Sequence, residues 1–178
     1  MVLQIMIIVH RRHSITNEPY KHLSKEGITL AKNVGRFMGK FDYVLTSTAT
    51  RAVETAVAMG YAIDEDIDFS STVSGDAADH REIPEGTPFT EYSKRIGENT
   101  SSAAWGQNVK NLILTKLSRL ASDSRVLIVS HAGIIEISTA TFFEGEDLMH
   151  LGNGVKRCEG VHMTYENGKF SNSEILRV

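Results

Sequence analysis

The chain has 178 residues, 41% hydrophobic and 23% charged, with three prolines, one cysteine and a net charge of −3. A slightly acidic balance disfavours a nucleic-acid partner or a membrane surface, both of which usually call for basic excess. Cys158 is the only cysteine, so an internal disulfide and a thiolate-ligated zinc site are both excluded. The apolar run Ile5 to Val9 is far shorter than the about 20 residues of a membrane span, and it lacks the flanks of a secretory signal. The expectation is one soluble, cytoplasmic domain over residues 1–178, able to bury its own core.

Apolar runs alternate with helical stripes, which predicts an α/β fold, a three-layer α/β/α sandwich with a mostly parallel sheet. Ile5 to Val9 reads as a strand buried on both faces. A helix is expected from Ser24, with Ile28, Ala31, Val34, Phe37, Met38 and Phe41 as its apolar stripe. Tyr43-Val44-Leu45 is a second strand. Thr46-Ser47-Thr48 supplies N-cap candidates for a helix to about Met59 that buries Val53, Ala56 and Val57. A weaker strand is expected at Ile67 to Phe69. Residues 74–104 read mostly as loop, a candidate lid, with a short helix around Phe89 to Arg95. Val109, Leu112, Ile113, Leu117 and Leu120 mark an amphipathic helix, and Arg125 to Val129 another buried strand. A helix from Ile134 to Phe143 and a hairpin turning at Glu166-Asn167-Gly168 complete the chain.

Three strands end in polar clusters: Arg12-His13-Ser14, Thr46-Ser47-Thr48 with Arg51 one turn on, and Ser130-His131-Ala132-Gly133. In a parallel sheet these carboxyl ends share an edge, where ligands bind. Two arginines, two histidines and two helix N-termini would then converge, an arrangement that repels itself unless an anion fills it. Phosphate suits planar, bidentate guanidinium groups.

These residues resemble a known family. Arg12-His13-Ser14-Ile15-Thr16 after an apolar strand is similar to the Arg-His-Gly-x-Thr signature of the histidine phosphatase superfamily, which includes the phosphoglycerate mutases. Ser47 to Ala56 resembles its second motif, an arginine four residues after a serine and before Thr-Ala. Ser130-His131-Ala132-Gly133 resembles its Ser-His-x-Gly motif, and the ordered set spans Ile5 to about Phe143. The resemblance implies that His13 is the nucleophile and that Arg12, Arg51 and His131 hold the phosphoryl oxygens. It implies no metal and no cofactor, since the arginines supply positive charge. A general acid is expected from the mid-chain loop, with Glu82 chosen and Glu85, Asp79 and Asp76 as alternatives. Ser14, Thr16, Asn17 and Ala132 would border the substrate. Ser14 and Ala132 depart from the pattern, standing where the family usually has glycine and where some members carry an aspartate acid.

The remaining signals are bland. His10 and Arg11 read as strand residues near an exposed edge, and His22, His150 and His162 as surface or packing residues. Phe89, Tyr92, Trp105, His80 and Arg81 are candidates for the outer wall of the site or for loop packing. No phosphate loop, dinucleotide loop, calcium loop or His-Glu-x-x-His motif is present. The expected activity is metal-independent hydrolysis of a phosphomonoester or phosphohistidine, on a small phosphorylated substrate or a phosphopeptide. The competing readings are a phosphoglycerate mutase and a catalytically silent phosphoryl-ligand binding module.

Overall fold

The computed structural model describes residues 5–17, 19, 21–72 and 83–178. Chain order runs β1 (Met6–Arg12), α1 (Lys25–Gly35), β2 (Tyr43–Ser47), α2 (Thr50–Ala58), β3 (Glu65–Ile67), α3 (Phe89–Glu98), α4 (Thr100–Leu117), β4 (Arg125–Ser130), α5 (Ile134–Phe142), β5 (Gly160–Glu166) and β6 (Lys169–Leu176). Among the described residues one six-stranded sheet has the order β3-β2-β4-β1-β5-β6. β3, β2, β4 and β1 are parallel, and β5 pairs antiparallel with both β1 and β6. The sheet is therefore mixed but mostly parallel, and helices cover both faces. The fold is a three-layer α/β/α sandwich.

Each face has its own core. Ile8, Leu45, Val126 and Ile128 pack under α3, α4 and α5 with Phe89, Tyr92, Trp105, Ile113 and Ile135. Val9, Val44, Leu127 and Val129 pack under α1 and α2 with Ala31, Ala52 and Ala56. Each large apolar side chain so buried contributes roughly 1.5–3 kcal/mol. Both faces of the central strands are apolar because both are covered, which is why these strands read as continuous rather than alternating runs.

Several expectations need correcting. α1 starts as expected, with Ser24 Oγ accepting the Gly27 amide at 3.0 Å, but it ends at Gly35. Phe37 therefore falls outside the stripe and is 89% exposed, and Ile28 is exposed too. On α2, Ala56 is buried but Val57 faces solvent. The hydroxyl cluster does not supply the helix cap residue: Ala49 holds that position without a side-chain bond. β3 ends at Ile67, and Phe69 opens a 3-10 turn. The short helix expected around Phe89 to Arg95 is present and extends over Phe89–Glu98, while residues 100–104, read as loop, open the next helix; Phe89, Tyr92, Ile96 and Trp105 all reach the core. These aromatic residues accordingly do not line a substrate wall. His10 and Arg11 are buried, since β1 lies between β4 and β5 and not at an edge. The hairpin forms as expected, with Asn167 and Gly168 at φ 51° and 80°, the left-handed pair that a tight β-turn needs.

Two glycines permit close backbone approaches around the end of β1. A side chain at Gly27 would strike the Ile15 carbonyl, so its absence lets α1 lie against the segment after His13. A side chain at Gly160 would strike the His10 carbonyl and Arg11, so its absence lets β5 begin hard against the end of β1. Among the described residues, no helix is long and apolar enough to cross a membrane.

Candidate active site

The pairing order β2-β4-β1 brings the three polar strand ends to one edge. There a cleft of about 370 Å³ is lined by Arg12, His13, Thr16, Arg51, His131 and Arg157, with Ala132 and Lys21 beside them. A second hollow continues past Arg51 and His131 towards Ser47 and Phe69.

His13 leaves β1 with its amide bonded to Ser130 O at 2.9 Å. Its Nδ1 lies 2.8 Å from the Ser14 carbonyl, which can only accept, so Nδ1 carries the proton. Nε2 is left with its lone pair, and Arg51 Nε points at it from 3.3 Å. Arg51 is set by the first turn of α2. Its carbonyl accepts from Thr55 Oγ1 at 2.7 Å, and the same Oγ1 accepts the Ser14 amide at 2.9 Å. One threonine thus ties the end of β1 to the helix that carries Arg51.

His131 follows β4 and shares a 2.9 Å hydrogen bond, through Nε2, with Ser47 Oγ at the end of β2. Its ring meets that of His13 edge-on, with centroids 5.2 Å apart. Below them, His10 Nε2 lies 2.6 Å from Ser130 Oγ. Arg12 turns one nitrogen, Nη1, to Glu85 Oε1 at 2.7 Å and to the Val155 carbonyl at 3.0 Å.

The electrostatics follow from burial among cations. Burial, then His131, Arg157 and Arg51, pull His13 down from its ordinary value near 6.5 to about 3, against the opposing Ser14 carbonyl. Burial, then the three arginines, bring His131 to about 4. Burial, then His131, bring His10 to about 3. All three are neutral at physiological pH. The Arg12 hydrogen bond holds the Glu85 carboxyl below its ordinary value, so Glu85 is an anion there. Among the described residues, no group of three or more histidine, cysteine, aspartate or glutamate side chains is placed to hold a metal ion.

Residues 10–175 match the model of the histidine phosphatase superfamily (branch 1). The chain belongs to this superfamily. Among solved structures, the chain is similar to a phosphoglycerate mutase from Bacillus anthracis at 16% identity, over 95% of this chain and 92% of that one, with TM-score 0.62. It is similar to a phosphoserine phosphatase from Entamoeba histolytica, in complex with 3-phosphoglyceric acid, at 21% identity over 97% and 98%, TM-score 0.61. A mycobacterial glucosyl-3-phosphoglycerate phosphatase in complex with VO3 matches at 15% identity over 97% and 98%, TM-score 0.62. Comparison with curated protein sequences gave no match. At these identities the solved structures establish the fold, and superfamily membership supports a hydrolase of the histidine phosphatase type.

Of the residues singled out in the sequence, His13, Arg12, Arg51, His131, Thr16 and Ala132 meet at the cleft. Ser14 and Asn17 do not. Ser14 is buried, with Oγ donating to Gly27 O at 2.7 Å, and so holds α1 to the segment that follows His13. The Asn17 amide bonds to His22 O, closing the Thr16–Leu23 turn. Glu82, Asp79, Asp76, His80 and Arg81 lie outside the described residues. His22 is exposed and pairs with Glu54 at 2.6 Å, while His150 Nε2 lies 2.9 Å from Ser173 Oγ.

Two members of this site carry no sequence motif. Arg157, just before β5, lines the cleft. Glu136, on the first turn of α5, is buried and accepts two backbone amides. A helical glutamate reads as an exposed residue, and a lone arginine before a strand reads as nothing in particular. Only the attachment of β5 to β1 gives Arg157 its place.

Proposed function

We propose that this histidine phosphatase hydrolyses phosphomonoesters without a metal, through a phosphoryl group carried on His13 Nε2. The observation that carries this reading is the orientation of His13. Nδ1 is engaged by the Ser14 carbonyl, so the unprotonated Nε2 presents its lone pair to a cleft lined by arginines, with Arg51 Nε donating to it. A neutral imidazole is a nucleophile, and burial with neighbouring cations keeps it neutral.

In the first step Nε2 attacks phosphorus, the N–P bond forms and the ester P–O bond breaks. The departing oxygen takes a proton from a carboxyl group, for which Glu82 is the proposed donor. In the second step water attacks phosphorus and gives a proton back to that carboxylate, the N–P bond breaks, and inorganic phosphate leaves with His13 and the carboxyl group restored. Arg12, Arg51 and His131 bind the oxygens whose charge grows in both steps. Burial, then the surrounding arginines, hold His131 neutral; the arriving dianion offsets the arginines' share, which favours a protonated, donating His131 in the complex.

Rapid quenching with a panel of sugar phosphates, phosphoglycerates, phosphoserine and phosphopeptides tests this. The expected result is release of inorganic phosphate and an acid-labile, base-stable label on His13, with both lost in His13→Ala. Phosphoryl transfer between phosphoglycerates without net phosphate release would replace hydrolysis with mutase chemistry. Tight binding with no label and no turnover would make the chain a phosphoryl-ligand binding module.

A further inference from the structure

We propose that Arg157 is a third phosphoryl-clamping arginine, a catalytic residue that binds the oxygens of the group being transferred at His13. The proposal rests on the phosphohistidine reading above and adds a residue that none of the three sequence motifs contains.

The geometry around Nε2 carries it. Arg157 Nη1 lies 3.1 Å from His13 Nε2 and 3.4 Å from Nδ1, while Arg51 Nε lies 3.3 Å from the same Nε2. Two guanidinium groups, from α2 and from the segment before β5, thus flank the one nitrogen that can bond to phosphorus. The oxygens of a phosphoryl group attached there come within reach of both. Among the described residues neither arginine has a carboxylate within ion-pair distance, whereas Arg12 is paired with Glu85. Arg12 Nη1 is also engaged by the Val155 carbonyl. Arg51 and Arg157 thus make no carboxylate ion pair among the described residues, although Glu85 acts on Arg157 from farther off, and phosphoryl transfer concentrates negative charge on the oxygens they would meet.

Strand direction aims Arg157 at the cleft. Because β5 is antiparallel to β1, its start lies beside the carboxyl end of β1, with Gly160 opposite Arg11. The preceding segment must then cross the mouth of the cleft. Cys158 takes a left-handed conformation at φ 60°, unfavourable for a residue with a side chain, and its surroundings over-determine it. Buried Arg11 donates to the Cys158 carbonyl, the Arg12 amide to the Glu159 carbonyl at 2.8 Å, and the Val155 amide to Glu136 at 2.8 Å. Glu159 in turn accepts the Lys156 amide at 2.8 Å and pairs with Arg177 at 2.6 Å. This network gives the otherwise unexplained Arg11 a task, which is to hold the turn that presents Arg157.

The test is the single-turnover rate of His13 phosphorylation by p-nitrophenyl phosphate, which has no second anionic group, together with orthovanadate affinity. Arg157→Ala should slow phosphorylation about 10²–10³-fold, the scale for losing one preorganised donor, and weaken vanadate binding at least tenfold. Arg157→Lys should keep the charge yet recover only part of the rate, because an ammonium lacks the planar fork. Melting temperatures close to wild type certify that both variants fold. If Arg157→Ala phosphorylates His13 within threefold of wild type, the proposal fails while the phosphohistidine reading stands. If the loss appears only with phosphoglycerates and vanadate affinity is unchanged, Arg157 reads the rest of the substrate and the clamp is likewise overturned. A wild-type enzyme that forms no phosphohistidine would instead remove the underlying reading.

Discussion

The buried carboxylate of Glu136 accepts the Val155 amide at 2.8 Å and, through its other oxygen, the Gly133 amide at 2.6 Å. A single side chain thereby joins the loop after His131 to the segment that leads to Arg157. Burial raises its pKa, while the two amides that it accepts, together with Arg12, favour the anion.

Glu136→Gln should therefore harm both stability and rate. Glutamine offers one acceptor oxygen where two amides need one each, and its NH₂ would face a buried N–H. The expected loss is about 1–3 kcal/mol in urea unfolding, the cost of an unsatisfied buried donor. Catalysis should fall on good and poor leaving groups alike, since the whole clamp loosens. Wild-type stability in this variant would mean the two amides find other acceptors.

Oxyanions should bind the cleft and stabilise the fold. Vanadate or tungstate relieves the repulsion among Arg12, Arg51 and Arg157, so each should inhibit competitively. At a hundredfold excess over Kd the gain is about 2.7 kcal/mol, read as a higher Tm. EDTA should leave activity unchanged. Activity lost to EDTA and restored by magnesium or zinc would overturn the metal-independent reading.

Stability should fall on mild acidification. His10, His13 and His131 titrate at about 3, 3 and 4 in the folded chain, below the ordinary value near 6.5. Between those limits the unfolded chain binds more protons, so the free energy of unfolding decreases as pH drops from about 6.5 towards 4. The contribution is complete above 6.5. His131→Asn should flatten the slope by removing one proton uptake, and saturating tungstate should flatten it by favouring protonated His131. A slope unchanged in both conditions would show that other groups carry the acid sensitivity.

Glu82 and Glu85 should behave differently when neutralised. Arg12 keeps Glu85 ionised, which suits a positioning role and not proton donation. Glu85→Gln should weaken turnover of alkyl and nitrophenyl phosphates to a similar degree by releasing Arg12. Glu82→Gln should slow an alkyl phosphate by about 10²–10⁴ and p-nitrophenyl phosphate much less, because nitrophenolate leaves without a proton. The contrast holds where phosphorylation of His13 limits the rate. Equal losses in Glu82→Gln would remove it as the acid.

Local sequence determined the elements and the chemistry that the strand and helix ends would carry. Continuous apolar runs at Ile5 to Val9 and Arg125 to Val129 announce strands covered on both faces, and the residue types at their carboxyl ends announce an anion site. Arg12, His13, Arg51 and His131 are legible because each lies within a few residues of a strand end, and a parallel sheet brings such ends together whatever the loop lengths. The short helix at Phe89 is legible, but residues 96–104 read as loop because Asn99 separates two helices and no single apolar period runs across it. Phe37 joins the expected stripe because its spacing continues past the point where the helix stops. The roles of Ser14, Glu136, Arg11 and Arg157 belong to the tertiary structure alone. Each depends on a partner brought in from elsewhere in the chain: α1 lying on the segment after His13 through Gly27, or β5 running backwards along β1 through Gly160. Strand direction decides which end of a segment reaches the active edge, and that is settled by pairing across more than a hundred residues, which no local pattern records.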